Sequence, residues 1–149
     1  MTGTAPRSTS SPPSGAAVHV LQVAHLHGDA YTAEVRGHRL VVDQPTGAGG
    51  TDTAPTPVEL FAASLATCVA FYAGSYLARH HRERDGLRVR AEFEMASDRP
   101  TRVRSVRLTV TPPPGLSEQS RRALLAVASH CTVHNTLRRP PEIETVLKA

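Results

Sequence analysis

The stretch TPVELFAASLATCVAFYAGSYLARHH, residues 56–81, decides the fold. Thr56, Pro57 and Glu59 occupy the N-cap, first and third positions of a helix start, a combination that forms a capping box. The residues that follow are apolar on nearly every face, so the pattern predicts a helix from Pro57 to about His81 that is central in the fold.

This helix also predicts a partner. About 25 helical residues extend roughly 37 Å, which is longer than a small domain usually encloses. One small sheet covers a single face, so a second copy of the chain is expected to cover the rest. The large apolar side chains on more than one face are Leu60, Phe61, Leu65, Val69, Phe71, Tyr72, Tyr76 and Leu77.

Alternating apolar and polar residues on both sides of the helix predict antiparallel strands. Residues 18–44 are interrupted at 27–29 and 36–38, as in two or three strands with tight turns, and the glycine-rich residues 45–55 predict a loop. Residues 87–95 and 106–110 predict two half-buried strands joined near Pro100. The fold class is therefore α+β, an antiparallel sheet with a long central buried helix.

The C-terminal part predicts a second helix and a final strand. Ser117 can cap a helix that continues through Ala128 and brings the chain to His130 and Cys131. A short segment, 132–138, follows it, and residues 143–147 are strand-like.

Composition limits the domain organisation and the partners. The chain has 149 residues and a net charge of +4; residues 1–17 predict a disordered tail and residues 18–149 a single domain. Neither a secretory signal nor a membrane span is recognisable, which predicts a cytoplasmic protein with no membrane partner. Because 16 of the 17 basic residues are dispersed arginines and aromatic residues make up 4%, nucleic-acid binding is not expected.

Two cysteines, Cys68 and Cys131, are the candidate reactive groups. Cys68 lies about twelve positions into the helix, beyond the influence of the helix dipole, so a low thiol pKa needs a cation or donors from elsewhere in the fold. Taken alone, Cys68 is equally well interpreted as a small buried apolar residue. The second cysteine, at the end of the other helix, favours a redox pair in which one thiol attacks and the other resolves.

The histidines beside Cys131 are candidate metal ligands. His130 and His134 have the i, i+4 spacing of a helical zinc pair, but no second paired cluster accompanies them. A polar rim to the cysteine pocket, or a surface position, are the alternatives. We predict no metal and no cofactor.

The cysteine motifs resemble the OsmC/Ohr family. The resemblance rests on Gly49-Gly50-Thr51-Asp52, on Pro55-Thr-Pro-Val-Glu-Leu-Phe-Ala-Ala-Ser-Leu-Ala-Thr-Cys68 and on His130-Cys-Thr-Val-His-Asn-Thr-Leu137, and it covers nearly all of residues 18–147. It implies an intertwined homodimer with the cysteine-bearing helices at its centre. It also implies a peroxidatic Cys68 and a resolving Cys131, in a thiol-dependent peroxidase that reduces organic hydroperoxides in oxidative-stress defence and is regenerated by a dithiol reductant.

Two departures place the chain closer to the OsmC-like branch. Enzyme-type members begin the helix with Pro-Glu-x-Leu, whereas here Val58 takes the place of the Glu and Glu59 follows, about 100° further around the helix. Glu59 is therefore a capping residue or a weaker candidate for orienting a catalytic arginine. The family's Gly-Gly-Arg string is absent, so Arg36 and Arg39, which flank a hairpin turn, are weak candidates for stabilising the thiolate. The alternative function is a non-peroxidatic dimer that binds a small hydrophobic or thiol ligand at the helix interface.

Overall fold

A computed structural model describes residues 17–149, in two compact units that meet in sequence between Ala54 and Pro55. Of the predicted tail, residues 1–17, all but the last residue lie outside the described part of the chain. A single domain over residues 18–149 stays a prediction.

The first unit is a three-stranded antiparallel sheet. Its strands β1 (Gln22–His27), β2 (Ala30–Val35) and β3 (His38–Val42) lie in the order β1-β2-β3. The turn between β2 and β3 has left-handed backbone at both central residues, Arg36 with φ 51° and Gly37 with φ 80°. That backbone has the twist that suits a two-residue hairpin. The two turns predicted from the sequence are thus confirmed.

The glycine-rich loop after β3 folds around one buried carboxylate. Asp43 is 1% exposed and accepts hydrogen bonds from the backbone N–H groups of Gln44, Thr51 and Thr53, and from both threonine hydroxyls. These bonds hold the pKa of Asp43 well below its usual range, and the bond from the Thr51 hydroxyl has the largest effect. Asp43 therefore fixes the loop as a charged residue at neutral pH.

The second unit combines three helices with a hairpin. Its elements in chain order are α1 (Pro57–Arg79), β4 (Arg88–Met95), β5 (Val103–Thr111), α2 (Glu118–Ala128) and α3 (Thr132–Arg138). Strands β4 and β5 pair antiparallel over their whole length. The inner face of this hairpin packs on α1, and α2 packs on α1 beside it. The α+β class and the long helix are confirmed, and the strands form two antiparallel sheets.

The helix ends follow the predicted sequence signals. At the start of α1, Thr56 Oγ1 accepts a hydrogen bond from the Glu59 N–H at 3.2 Å, and Glu59 Oε2 accepts one from the Thr56 N–H at 2.8 Å. Ser117 caps α2 as expected. The strand predicted at residues 143–147 is wrong, because the chain from residue 140 onward takes part in no sheet in this structure.

The core of the second unit lies along one side of α1. Its buried residues are Leu65, Val69, Ala73, Leu77, Leu116, Leu124, Ala128 and Cys131. On the opposite side of α1, Phe71 is 70% exposed. Within the described part of the chain, α1 is the one helix long and apolar enough to cross a membrane, a criterion that core helices also meet.

Candidate functional site

The two cysteines meet in the core of the second unit. Cys131 is fully buried between α2 and α3, and Cys68, in the middle of α1, is half-buried and packs against the cluster that contains it. The 62 residues between the cysteines contain the β4–β5 hairpin and α2, so only the tertiary fold brings the cysteines together. Both thiols are free, and both belong to the same packed core.

Cys131 also begins a helix. It is the N-cap of α3, and its Sγ accepts a hydrogen bond from the His134 N–H at 3.4 Å. Burial raises the pKa of the Cys131 thiol; the His134 N–H opposes this effect and the nearby Cys68 thiol adds to it. Cys131 is consequently a protonated thiol at neutral pH, and its attack on another sulfur requires a group that accepts its proton.

His134 lines an apolar cleft. Its Nδ1 is buried and has no hydrogen-bond partner among the described residues. Burial lowers the pKa of His134, with smaller contributions from the nearby Arg138 and His130, so the imidazole is neutral at pH 7. The cleft has a volume of about 200 Å³, and its other lining residues are Val69, Val106, Leu108, Val110, Leu125, Ala128 and Ser129.

The two histidines beside Cys131 face different surroundings. Nδ1 of His130 lies 2.8 Å from the Ala126 carbonyl oxygen, so its ring is held against the last turn of α2. The described residues contain no cluster of three or more histidine, cysteine or acidic side chains that could hold a metal ion. Of the two, it is His134 that lines the apolar cleft.

The weaker candidates lie in other places. Glu59 is exposed in the capping box, nine residues before Cys68, which is roughly 14 Å along the helix axis. Arg36 lies in the β2–β3 turn and Arg39 on β3 opposite Glu34, both exposed in the first unit. A role for Glu59, Arg36 or Arg39 at Cys68 stays a prediction.

Sequence reasoning missed one contact beside the cysteines. The Tyr72 hydroxyl lies 2.8 Å from Thr132 Oγ1 and links α1 to the first residue of α3. Tyr72 follows Cys68 by four residues and Thr132 follows Cys131 by one. Both spacings are visible in the sequence, but the hydrogen bond between two residues 60 positions apart is not.

The fold resembles solved structures of bacterial stress proteins. An osmotic-stress-induced and detoxification response protein of Psychrobacter arcticus is 22% identical with a TM-score of 0.74, over 83% of this chain and 90% of that one. An organic hydroperoxide resistance protein OsmC of Legionella pneumophila is 20% identical with a TM-score of 0.64, over 82% and 90%.

A third similar structure contains a bound compound. It is an organic hydroperoxide resistance protein of Vibrio cholerae with captopril in one of its active sites, 20% identical with a TM-score of 0.64, over 87% of this chain and 92% of that one. No curated protein matches the sequence significantly. The description "OsmC-like protein" belongs to the family whose sequence profile matches residues 50–146, about two thirds of the chain. The chain is therefore a member of the OsmC family.

Proposed function

We propose that this protein is a cytoplasmic thiol-dependent peroxidase that reduces organic hydroperoxides in oxidative-stress defence. One observation carries the proposal: a second, more accessible thiol, Cys68, packs on the core that contains the buried Cys131 and is near enough to raise the pKa of Cys131. Two similar proteins, from Legionella pneumophila and Vibrio cholerae, are named organic hydroperoxide resistance proteins, which supports the same substrate class.

The proposed cycle needs only the two thiols, the peroxide and a reductant. Cys68 loses its proton to solvent, the thiolate attacks the terminal peroxide oxygen, and the O–O bond breaks to leave Cys68 as the sulfenic acid; the departing alkoxide takes a proton from solvent and leaves as the alcohol. Cys131 then attacks the Cys68 sulfur and expels hydroxide, which takes the Cys131 proton and leaves as water. A dithiol reduces the resulting disulfide and restores both thiols.

The burial of the two sulfurs fits this order of events. Cys68, the half-buried thiol, is the one a peroxide reaches, whereas Cys131 is sealed from solvent and its raised pKa keeps it protonated. A protonated thiol is a poor nucleophile toward peroxide. It reacts only when an adjacent sulfenic acid offers a sulfur to attack and a leaving group that accepts its proton.

The proposal includes a homodimer. The side of α1 that bears Phe71, 70% exposed, is an apolar surface that a second copy would cover. Light scattering at micromolar concentration should give twice the chain mass, and a monomer would contradict this part of the proposal.

Mass spectrometry tests the two-thiol mechanism. One equivalent of cumene hydroperoxide should consume both thiols and form the Cys68–Cys131 disulfide. Cys131→Ser should stop at the sulfenic acid, which dimedone traps, and overoxidise with excess peroxide. Cys68→Ser should leave Cys131 reduced. Wild-type protein in which Cys131 stays reduced after peroxide treatment would rule out the mechanism.

The apolar cleft favours one alternative function. A pocket of about 200 Å³, lined mainly by aliphatic side chains and by His134, suits a small hydrophobic ligand. In that case the protein is a non-peroxidatic binding dimer and Cys68 is a packing residue. Iodoacetamide labelling at pH 7 separates the two functions, because a peroxidatic Cys68 alkylates much faster than an ordinary thiol with a pKa of about 8.5.

A further inference from the structure

The contact between Tyr72 and Thr132 lies next to both cysteines. We propose that these two side chains form a latch, the hydrogen bond between α1 and α3, that holds Cys68 and Cys131 within disulfide-forming distance. The inference rests on the proposed peroxidase function and assigns Tyr72 and Thr132 as positioning residues for its resolving step. Neither side chain takes part in the bond changes.

Helix geometry couples the position of Tyr72 to that of Cys68. Residues four apart lie on the same face of a helix, one turn from each other, so Tyr72 and Cys68 face the same neighbours. Tyr72 is half-buried against the core cluster, and its ring makes an edge-on contact with Phe71. The hydroxyl is thus presented to α3 from a side chain that packing already restrains.

On the other side, the latch acts directly on the segment that bears Cys131. Thr132 is the first residue of α3, and Cys131 is the N-cap of the same helix. A helix of seven residues has little stability of its own, so its position depends on tertiary contacts. The hydrogen bond between Tyr72 and Thr132 supplies one such contact within a single residue of the resolving sulfur.

Disulfide formation is sensitive to this restraint. The bond requires the two Cα atoms to lie within about 7 Å with their Cβ atoms directed at each other, and small displacements raise its energy. A latch that favours this arrangement in the reduced protein raises the effective concentration of one sulfur at the other. Its loss should lower the equilibrium constant for the internal disulfide about three- to tenfold, as expected for one net hydrogen bond.

A redox titration measures that constant directly. Wild-type protein, Tyr72→Phe, Thr132→Val and the double variant are equilibrated in reduced and oxidised dithiothreitol, alkylated, and analysed by mass spectrometry. Both single variants should shift the disulfide potential by about 15 to 30 mV toward easier reduction, since tenfold is 29.6 mV for two electrons. The double variant should shift it no further, because each change removes the same bond.

Matched controls separate the latch from general destabilisation. Tyr76→Phe removes a hydroxyl one turn further along α1, from a ring stacked on His80, and should leave the potential unchanged. Thr132→Ser keeps the hydroxyl and should restore the wild-type value. Potentials of Tyr72→Phe and Thr132→Val equal to that of Tyr76→Phe, or shifted toward harder reduction, would overturn the latch.

The same titration distinguishes failure of the latch from failure of the proposed function. A wild-type protein that forms the Cys68–Cys131 disulfide, with variants that match it, refutes only the latch. A wild-type protein that forms no internal disulfide in any buffer refutes both.

Discussion

Replacing the two capping-box residues of α1 tests whether Glu59 has a structural or a chemical role. Thr56→Ala removes the acceptor of the Glu59 N–H, and Glu59→Ala removes the acceptor of the Thr56 N–H. Glu59→Gln keeps an acceptor oxygen in reach of the Thr56 N–H but removes the negative charge. The three variants therefore separate the hydrogen bonds from the charge.

The expected losses follow from the exposed position of the box. Thr56→Ala should reduce the free energy of unfolding by about 1 kcal/mol, the usual cost of losing an N-cap. Glu59→Gln should cost about 0.3 to 1 kcal/mol, because only the interaction of the charge with the helix N-terminus is lost. For a chain of this length, 1 kcal/mol lowers Tm by roughly 2 to 4 °C, which thermal denaturation followed by circular dichroism resolves.

Activity is the second measurement. If Glu59 only caps α1, the rate at which cumene hydroperoxide oxidises Cys68 should be unchanged in Glu59→Gln, and Thr56→Ala and Glu59→Ala should be non-additive in stability. A tenfold slower oxidation of Cys68 in Glu59→Gln, with Tm within a degree of wild type, would refute the capping interpretation. Glu59 would then act on the chemistry despite the roughly 14 Å of helix that separates it from Cys68.

Three further changes test the structure within each unit. Leu77→Ala, at a fully buried site on α1, should cost about 2 to 5 kcal/mol in chemical denaturation, and a loss under 1 kcal/mol would contradict the described core. Gly50→Ala places a Cβ 1.9 Å from the Gln44 carbonyl oxygen and should cost about 1 to 3 kcal/mol; Gly47→Ala, with open space around it, is the control and should cost less. The folded protein lowers the pKa of Asp43, so the charged carboxylate stabilises the fold above the unfolded pKa of about 3.9, and this stabilisation is lost as the pH falls below it. Asp43→Asn should therefore be less stable than wild type at pH 7. Between pH 4 and 2 it should lose less stability than wild type does. Equal pH dependence in the two proteins would contradict the role of Asp43.

The parts of the fold that sequence alone predicts are those governed by neighbours in the chain. The capping box at Thr56 and Glu59 involves residues three apart, and the cap at Ser117 involves its own first helical turn. The hairpin turn at Arg36 and Gly37 is likewise local. In each case the residues that decide the geometry are adjacent, so their spacing carries enough information.

The burial of Asp43 is a feature that the sequence alone does not predict. In the sequence it is one acid after an apolar strand, with no visible reason to be buried. Its burial is possible only because Thr51 and Thr53 return to it from eight and ten residues away and satisfy its oxygens. The loop that carries them was predicted from its glycines, but a glycine-rich composition predicts only that the chain turns, and gives no indication of the group it turns around.

The candidate site depends still more on distant residues. Each cysteine has an ordinary alternative when its neighbours in sequence are considered alone, because a small thiol on an apolar helix packs like any apolar residue. The redox interpretation gains weight only where tertiary packing brings the half-buried Cys68 against the buried Cys131, and where burial keeps the second thiol protonated until a sulfenic acid forms beside it. In the proposed cycle, the burial that makes Cys131 inert toward solvent also makes it specific for Cys68. Under the same proposal, the bond between Tyr72 and Thr132 determines how readily the two sulfurs join.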